Sequence, residues 1–230
     1  MKFNDTLIPG RLLKRYKRFL TDVELDNGEV VTAHCTNSGS MKTCLEQGAK
    51  VFLSPVNDPK RKTRFTWEMI EINHKWVGIN TNHPNLLVFE AVRDGLVPAL
   101  SGYTDVKREV KFGDSRFDVM ASNSREVCFI EVKNVTMKVD EFALFPDAKT
   151  ERGRKHLETL IKVKQEGMRA VMFYVIQRTD VQKFGVARDI DPQYAESLQK
   201  AVEAGVEVIA MLAEVSPGGI ELSKEVPFVI

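Results

Sequence analysis

Three charged side chains interrupt two apolar, strand-like runs: Asp118 in Arg116-Phe117-Asp118-Val119-Met120-Ala121, and Glu131 and Lys133 in Phe129-Ile130-Glu131-Val132-Lys133. A strand packed on both faces carries charge only with a partner or a metal. Side chains alternate along a strand, which puts Glu131 and Lys133 on one face. Between the runs, Ser122-Asn123-Ser124-Arg125 reads as a four-residue loop, and that loop sets Asp118 opposite Phe129 and diagonal to Glu131. Diagonal neighbours lie roughly 7–8 Å apart, close enough for two carboxylates to share one cation. Paired carboxylates suit a hard ion, Mg2+ or Mn2+, that keeps several waters and takes further ligands from a substrate phosphate. A lysine two residues on can orient the attacking water or face the charge that builds on phosphorus oxygens. The chemistry expected of such a set is phosphodiester hydrolysis. A structural ion pair of Lys133 with Asp118 or Glu131 uses the same spacing, and spacing alone leaves both readings open.

Glu90 adds a third acid. It interrupts Leu86-Leu87-Val88-Phe89 and Ala91-Val92 in a helix apolar nearly all round. A carboxylate there either faces the metal or pairs with Arg93 three residues on, and the expectation is the metal.

The elements that must position these groups change character near residue 82. Before it, Gly10–Tyr16, Arg18–Leu25, Glu29–Cys35, Lys50–Pro55, Thr63–Ile72 and Lys75–Ile79 read as short strands, with Asp26-Asn27-Gly28 as a hairpin turn. Such a run predicts a small all-β barrel over residues 1–82. After it, Pro84 opens a helix that Gly95 ends, and strand material runs from Thr104 to Lys111 ahead of the Asp118 hairpin. Helices near Glu151–Lys164 and Pro192–Glu203 then alternate with strands Ala170–Ile176 and Val206–Leu212. That alternation predicts a mixed-sheet α/β domain over residues 83–230, and an α+β protein overall.

Asp118, Glu131-Val132-Lys133 and a preceding helical Glu90 together resemble the restriction-endonuclease-like PD-(D/E)xK nuclease core. Along nearly the whole chain the sequence also resembles the sugar fermentation stimulation protein A family. The segments behind this are Thr32–Met41, Arg116-Phe117-Asp118, Glu131–Thr136, and Phe145–Thr150 continuing through Arg152-Gly153 and Lys155-His156-Leu157. The resemblance implies an OB-like N-terminal barrel, a nuclease-like C-terminal domain, DNA binding without sequence specificity and a link to sugar (maltose) fermentation regulation. Phe117 stands where the nuclease motif has proline, so the resemblance does not by itself establish activity.

Arg11, Lys14, Arg15, Lys17 and Arg18 surround Tyr16 and Phe19, and Lys60, Arg61, Lys62 and Arg64 lead towards Trp67. Cations interleaved with aromatics suit a groove that tracks a phosphate backbone and stacks bases, so the expected partner is DNA, with RNA of the same chemistry. Arg152, Lys155 and His156, on the helix after the Glu131 strand, join that set through the family resemblance. The polar stretch Thr32–Met41 either lines a phosphate pocket or closes the barrel with its own hydrogen bonds. His74 and His83 read as turn residues, and a zinc site at His34, Cys35 and Cys44 lacks a fourth ligand at usable spacing.

Composition narrows the function classes. The 230 residues carry 33 Lys+Arg against 32 Asp+Glu, a net charge of +1, which argues against a histone-like coat on nucleic acid. Residues 1–83 hold 13 basic and 9 acidic side chains, however, and the remainder holds 20 and 23, so the barrel half is basic. Three cysteines without a C-x-x-C pair fit reduced thiols, and no signal-peptide or membrane-spanning run is found, so a cytoplasmic protein is expected. Three functions remain: a metal-dependent nuclease, a DNA-binding regulator that keeps the nuclease fold without turnover, and a small-molecule sensor using the polar loop.

Overall fold

A computed structural model describes residues 1–230. Six strands come first: β1 (Ile8–Tyr16), β2 (Leu20–Leu25), β3 (Val30–His34), β4 (Lys50–Pro55), β5 (Phe65–Ile72) and β6 (Lys75–Gly78). They form one sheet in the order β3-β2-β1-β4-β5-β6, and a parallel pairing of β3 with β5 closes the first five into a barrel. Alternation along these strands sends Leu12, Val23, Ala33, Val51, Leu53 and Trp67 inward. Trp67 is therefore core: it is fully buried and its indole N–H donates to the Met69 carbonyl at 2.9 Å, so it is no stacking platform.

The second domain contains α1 (His83–Arg93), β7 (Asp105–Phe112), β8 (Ser115–Ser122), β9 (Val127–Val135), β10 (Met137–Val139), β11 (Phe142–Phe145), α2 (Glu151–Gln165), β12 (Arg169–Ile176), β13 (Lys183–Val186), α3 (Pro192–Glu203), β14 (Glu207–Ser216), β15 (Gly219–Glu225) and β16 (Phe228–Val229). Its main sheet runs β15-β14-β12-β9-β8-β7, parallel through β9, β12 and β14 and antiparallel at its edges. β12 is buried along almost its whole length, which is why Ala170–Ile176 reads as one continuous apolar run. Helices α2 and α3 cover one face of the sheet. Helix α1 covers the other, where Met69, Phe52 and Trp76 of the barrel's outer surface join the same core and bind the two domains together.

Two local features aim the chemistry. The β8–β9 turn uses residues 123–126, because Asn123 Oδ1 accepts from the N–H groups of Arg125 and Glu126 at 2.8 and 3.1 Å. Met120 consequently faces Phe129, and Asp118 does not stand opposite Phe129 as the loop length predicts. The ladder instead stops at Val119 and Ile130. Across from Asp118, Glu109 of β7 has φ 56°, and the β7–β8 ladder skips this one pair between Arg108–Val119 and Val110–Phe117. Phe117 packs under α2 and α3 while Val119 packs under α1, so the alternation of β8 breaks at Asp118.

Candidate active site between the domains

The break at Asp118 turns its carboxylate into a cavity of about 480 Å3 that Glu131 and Lys133 also line. The opposing wall comes from the barrel, through Thr36, Asn37, Ser38 and Gly39. Part of the Thr32–Met41 stretch thus lines this cavity. Arg15 holds it in place by donating to the carbonyls of Asn37 (2.8 Å) and Gly39 (3.0 Å), and Asp147 of the second domain accepts from the Met41 N–H at 3.2 Å.

Asp118 is fixed from both sides. Its Oδ1 accepts from Asn85 Nδ2 at 2.5 Å and its Oδ2 from the Val132 N–H at 2.7 Å. Burial, and then the neighbouring Glu131 charge, push its carboxyl up to about 7. Glu131, 2% exposed, has the opposite setting. Its Oε1 takes Lys133 Nζ at 2.6 Å and pairs with His156 Nδ1. Burial alone would raise the Glu131 carboxyl, but His156 and Lys133 outweigh it and hold the group below the usual range. Glu131 Oε2 is buried with no hydrogen-bond partner.

Helix α2 brings His156 there because its first turn is locked. Thr150 caps it by accepting from the Gly153 N–H at 3.0 Å, and Asp191, the cap of α3, accepts from the Thr150 N–H at 2.8 Å. Arg152 lines the cavity and donates to His156 Nε2 at 3.4 Å. Lys155 points outward and is exposed, away from the cavity.

Other expected site residues lie elsewhere. Glu90 is outside the cavity: it is half-buried and 3.7 Å from the N-terminal amine, because the face of α1 turned to the site carries Asn85. In the barrel, Arg18 lines the cavity of Asp118 and Glu131, and Lys17, Arg61 and Lys62 line a neighbouring cleft. Arg11, Lys14, Arg15, Tyr16, Lys60 and Arg64 line neither. Arg11 donates to the Gly48 carbonyl at 3.0 Å, Lys14 pairs with Asp22 at 3.6 Å, and Tyr16 donates to Asp22 at 3.0 Å. His83 is no turn residue, for it opens α1 and contacts Glu68 at 2.7 Å. Cys35, Cys44 and Cys128 are buried free thiols. No helix is long and apolar enough to cross a membrane.

Asn85 and Asp147 are the site residues that sequence reasoning misses. A polar residue immediately before an apolar helical run, and an aspartate after Phe145-Pro146, gave no sign of their distant partners.

No group of three or more His, Cys, Asp or Glu side chains gathers closely enough to cage an ion. Two carboxylates are nonetheless enough for a hard divalent cation that keeps water and takes substrate oxygens. Glu131 Oε2 is unpartnered, and the Asp118 carboxyl is raised by burial and by the Glu131 charge.

Comparison with known proteins agrees with this architecture. Residues 13–79 match the family model described as the SfsA N-terminal OB domain, and residues 82–219 match the sugar fermentation stimulation protein RE domain. The sugar fermentation stimulation protein homolog of Geotalea uraniireducens is 48% identical over 218 residues, covering 94% of each chain. That of Geobacter metallireducens is 47% identical over 232 residues, covering all of both. Among solved structures, Pyrococcus furiosus SfsA in complex with Ca2+ superposes with a TM-score of 0.90 at 29% identity, covering 100% of this chain and 98% of that one. An OB barrel joined to a restriction-endonuclease-like α/β domain, matched along almost its full length, makes this chain a member of the sugar fermentation stimulation protein (SfsA) family.

Proposed function

We propose that the chain is a divalent-metal-dependent phosphodiesterase acting on DNA without sequence preference, with Asp118 and Glu131 as the protein ligands of Mg2+ or Mn2+. The observation that carries this reading is the incomplete pairing of a half-buried and a buried carboxylate in one cavity, Asp118 raised to about 7 and Glu131 with an orphaned oxygen. The Ca2+ in the Pyrococcus furiosus relative supports it, since Ca2+ is a hard, oxygen-seeking ion of the same class. When bound, such an ion supplies positive charge at a phosphate and a more acidic water. The chain's own groups do the rest. Asn85 and the Val132 N–H aim Asp118, His156 aims Glu131, and Lys133, two residues along the same strand, supplies a cation to a bound phosphate. Arg18 and Arg152 at the rim hold flanking phosphates.

A second reading, a DNA-binding regulator of sugar fermentation that retains the nuclease fold without turnover, is favoured by one observation. Lys133 and His156 both engage Glu131 Oε1, so part of the donor capacity near the carboxylates is already taken up within the chain.

Incubation of the pure protein with DNA and RNA in Mg2+ or Mn2+, beside Asp118→Ala and Lys133→Ala and with gel shifts in parallel, separates the two. Cleavage by the parent that falls at least about 100-fold in both variants is expected. Binding that survives unchanged with no cleavage by any form would establish the regulator instead. Binding should also weaken with salt, by about 0.9 log units per log unit for each duplex phosphate engaged.

A further inference from the structure

A second cleft, of about 930 Å3, opens on the barrel beside the first. Its volume falls in the range of about 300–1,000 Å3 typical of pockets for small organic ligands. Lys17, Arg61 and Lys62 stand on its rim with Phe19, whose side chain is 50% exposed. Its floor is a fixed polar network. Glu68, 3% exposed, accepts from Ser54 (2.6 Å) and from Asn80 Nδ2 (2.9 and 3.1 Å), and contacts His83 Nε2 at 2.7 Å. Asn80 Oδ1 in turn accepts from the Thr36 hydroxyl at 3.2 Å.

Two features join this cleft to the cavity of Asp118 and Glu131. Thr36 lines both. The β1–β2 turn also straddles them, Lys17 lining the barrel cleft and Arg18 the catalytic cavity. Both turn residues are left-handed, with φ 49° and 65°. Glycine or asparagine takes that conformation at lower cost, so stability does not account for two long cations there. Lys17, Arg18, Arg61 and Lys62 form no ion pair, whereas Lys14 on the adjoining strand does. Free cations along a path between two cavities are suited to successive phosphates.

We propose that the barrel cleft anchors an unpaired nucleotide of a single-stranded substrate, its base stacked on Phe19 above the Glu68–Asn80–His83 floor, and that the strand passes Thr36 and Arg18 into the catalytic cavity. A base inside a duplex is stacked on its neighbours and has no face free for Phe19. The inference rests on the phosphodiesterase reading of the first cavity and names its substrate class: single strands, and duplexes only at frayed or flapped ends.

The test is fluorescence anisotropy in Ca2+ with labelled oligothymidylate and oligouridylate of about 12 nucleotides, within the site size of one OB domain, and with a blunt hairpin duplex. Parent protein, Phe19→Ala and the double variant Lys17→Asn/Arg18→Gly are compared, and cleavage in Mg2+ is scored separately. At least one of the two single strands should bind about tenfold more tightly than the duplex, and Phe19→Ala should remove about tenfold of that affinity. The double variant should lose a similar factor and lower the salt slope by about 1.4, or about 0.7 for each of two phosphates, while melting no lower than the parent. Duplex bound as tightly as both single strands, or either variant binding single strands like the parent, would overturn the anchor. Single-strand binding in the expected pattern without cleavage keeps the anchor and overturns the catalytic reading; cleavage without that pattern does the reverse.

Discussion

Replacing Asp118 with asparagine should abolish metal-dependent cleavage and, at pH 8 without metal, make the protein more stable. The carboxyl is raised to about 7 in the folded chain against a reference of 3.8. Between those values the folded state holds a proton that the unfolded state has released, so stability falls as pH rises through that window. Three units correspond to on the order of 4 kcal/mol, fully absent below about pH 3.8 and fully incurred above about pH 7. Asparagine keeps an oxygen for the Val132 N–H and removes the charge, and a turn of the Asn85 amide presents an acceptor to the new NH2. Thermal unfolding should therefore show Asp118→Asn gaining about 1–3 kcal/mol at pH 8 and almost nothing at pH 4. Added Mg2+ should raise the melting temperature of the parent alone. A variant less stable than the parent at pH 8 would mean that the Asp118 charge is already balanced within the chain.

Glu131→Ala should have the opposite sign on stability. Lys133 and His156 are directed onto this one carboxylate, and their side chains are only 15% and 10% exposed. Removing a buried anion strands its partners and costs about 3–5 kcal/mol. For a chain of this length that is a drop of roughly 10 °C in melting temperature, measurable by calorimetry. The pH dependence is also reversed. Glu131 is depressed, so its contribution is fully present above the ordinary glutamate range and is lost as pH falls through its lowered folded value. Two carboxylates of one site thus govern opposite limbs of the stability profile: Glu131 the acid limb, and Asp118 the decline towards neutrality. A melting temperature unchanged in Glu131→Ala would show that the lysine and histidine are solvated in its absence.

The Asp118, Glu131 and Lys133 set is legible in the sequence because charge inside apolar strands is costly and therefore informative. The barrel is legible for a similar reason, since period-two alternation and the Asp26-Asn27-Gly28 turn are local signals. Glu90 misleads because hydrophobicity cannot fix the rotation of a helix that is apolar nearly all round; the structure turns Asn85 to the site instead. The hairpin register is missed because the Asn123 side chain, not loop length, decides where the chain reverses. Strands β10, β11, β13 and β16 are two to four residues long and too short to show any period. The meeting of Thr36–Gly39 with Asp118 joins residues some 80 positions apart, and only tertiary packing reveals it.

Whether Asp118 and Glu131 share one cation can be read from anomalous X-ray diffraction of crystals soaked in Mn2+. One strong peak is expected between Asp118 and Glu131, about 2.1 Å from an oxygen of each. Density between them without an anomalous signal, or a peak bound to either carboxylate alone, would contradict it.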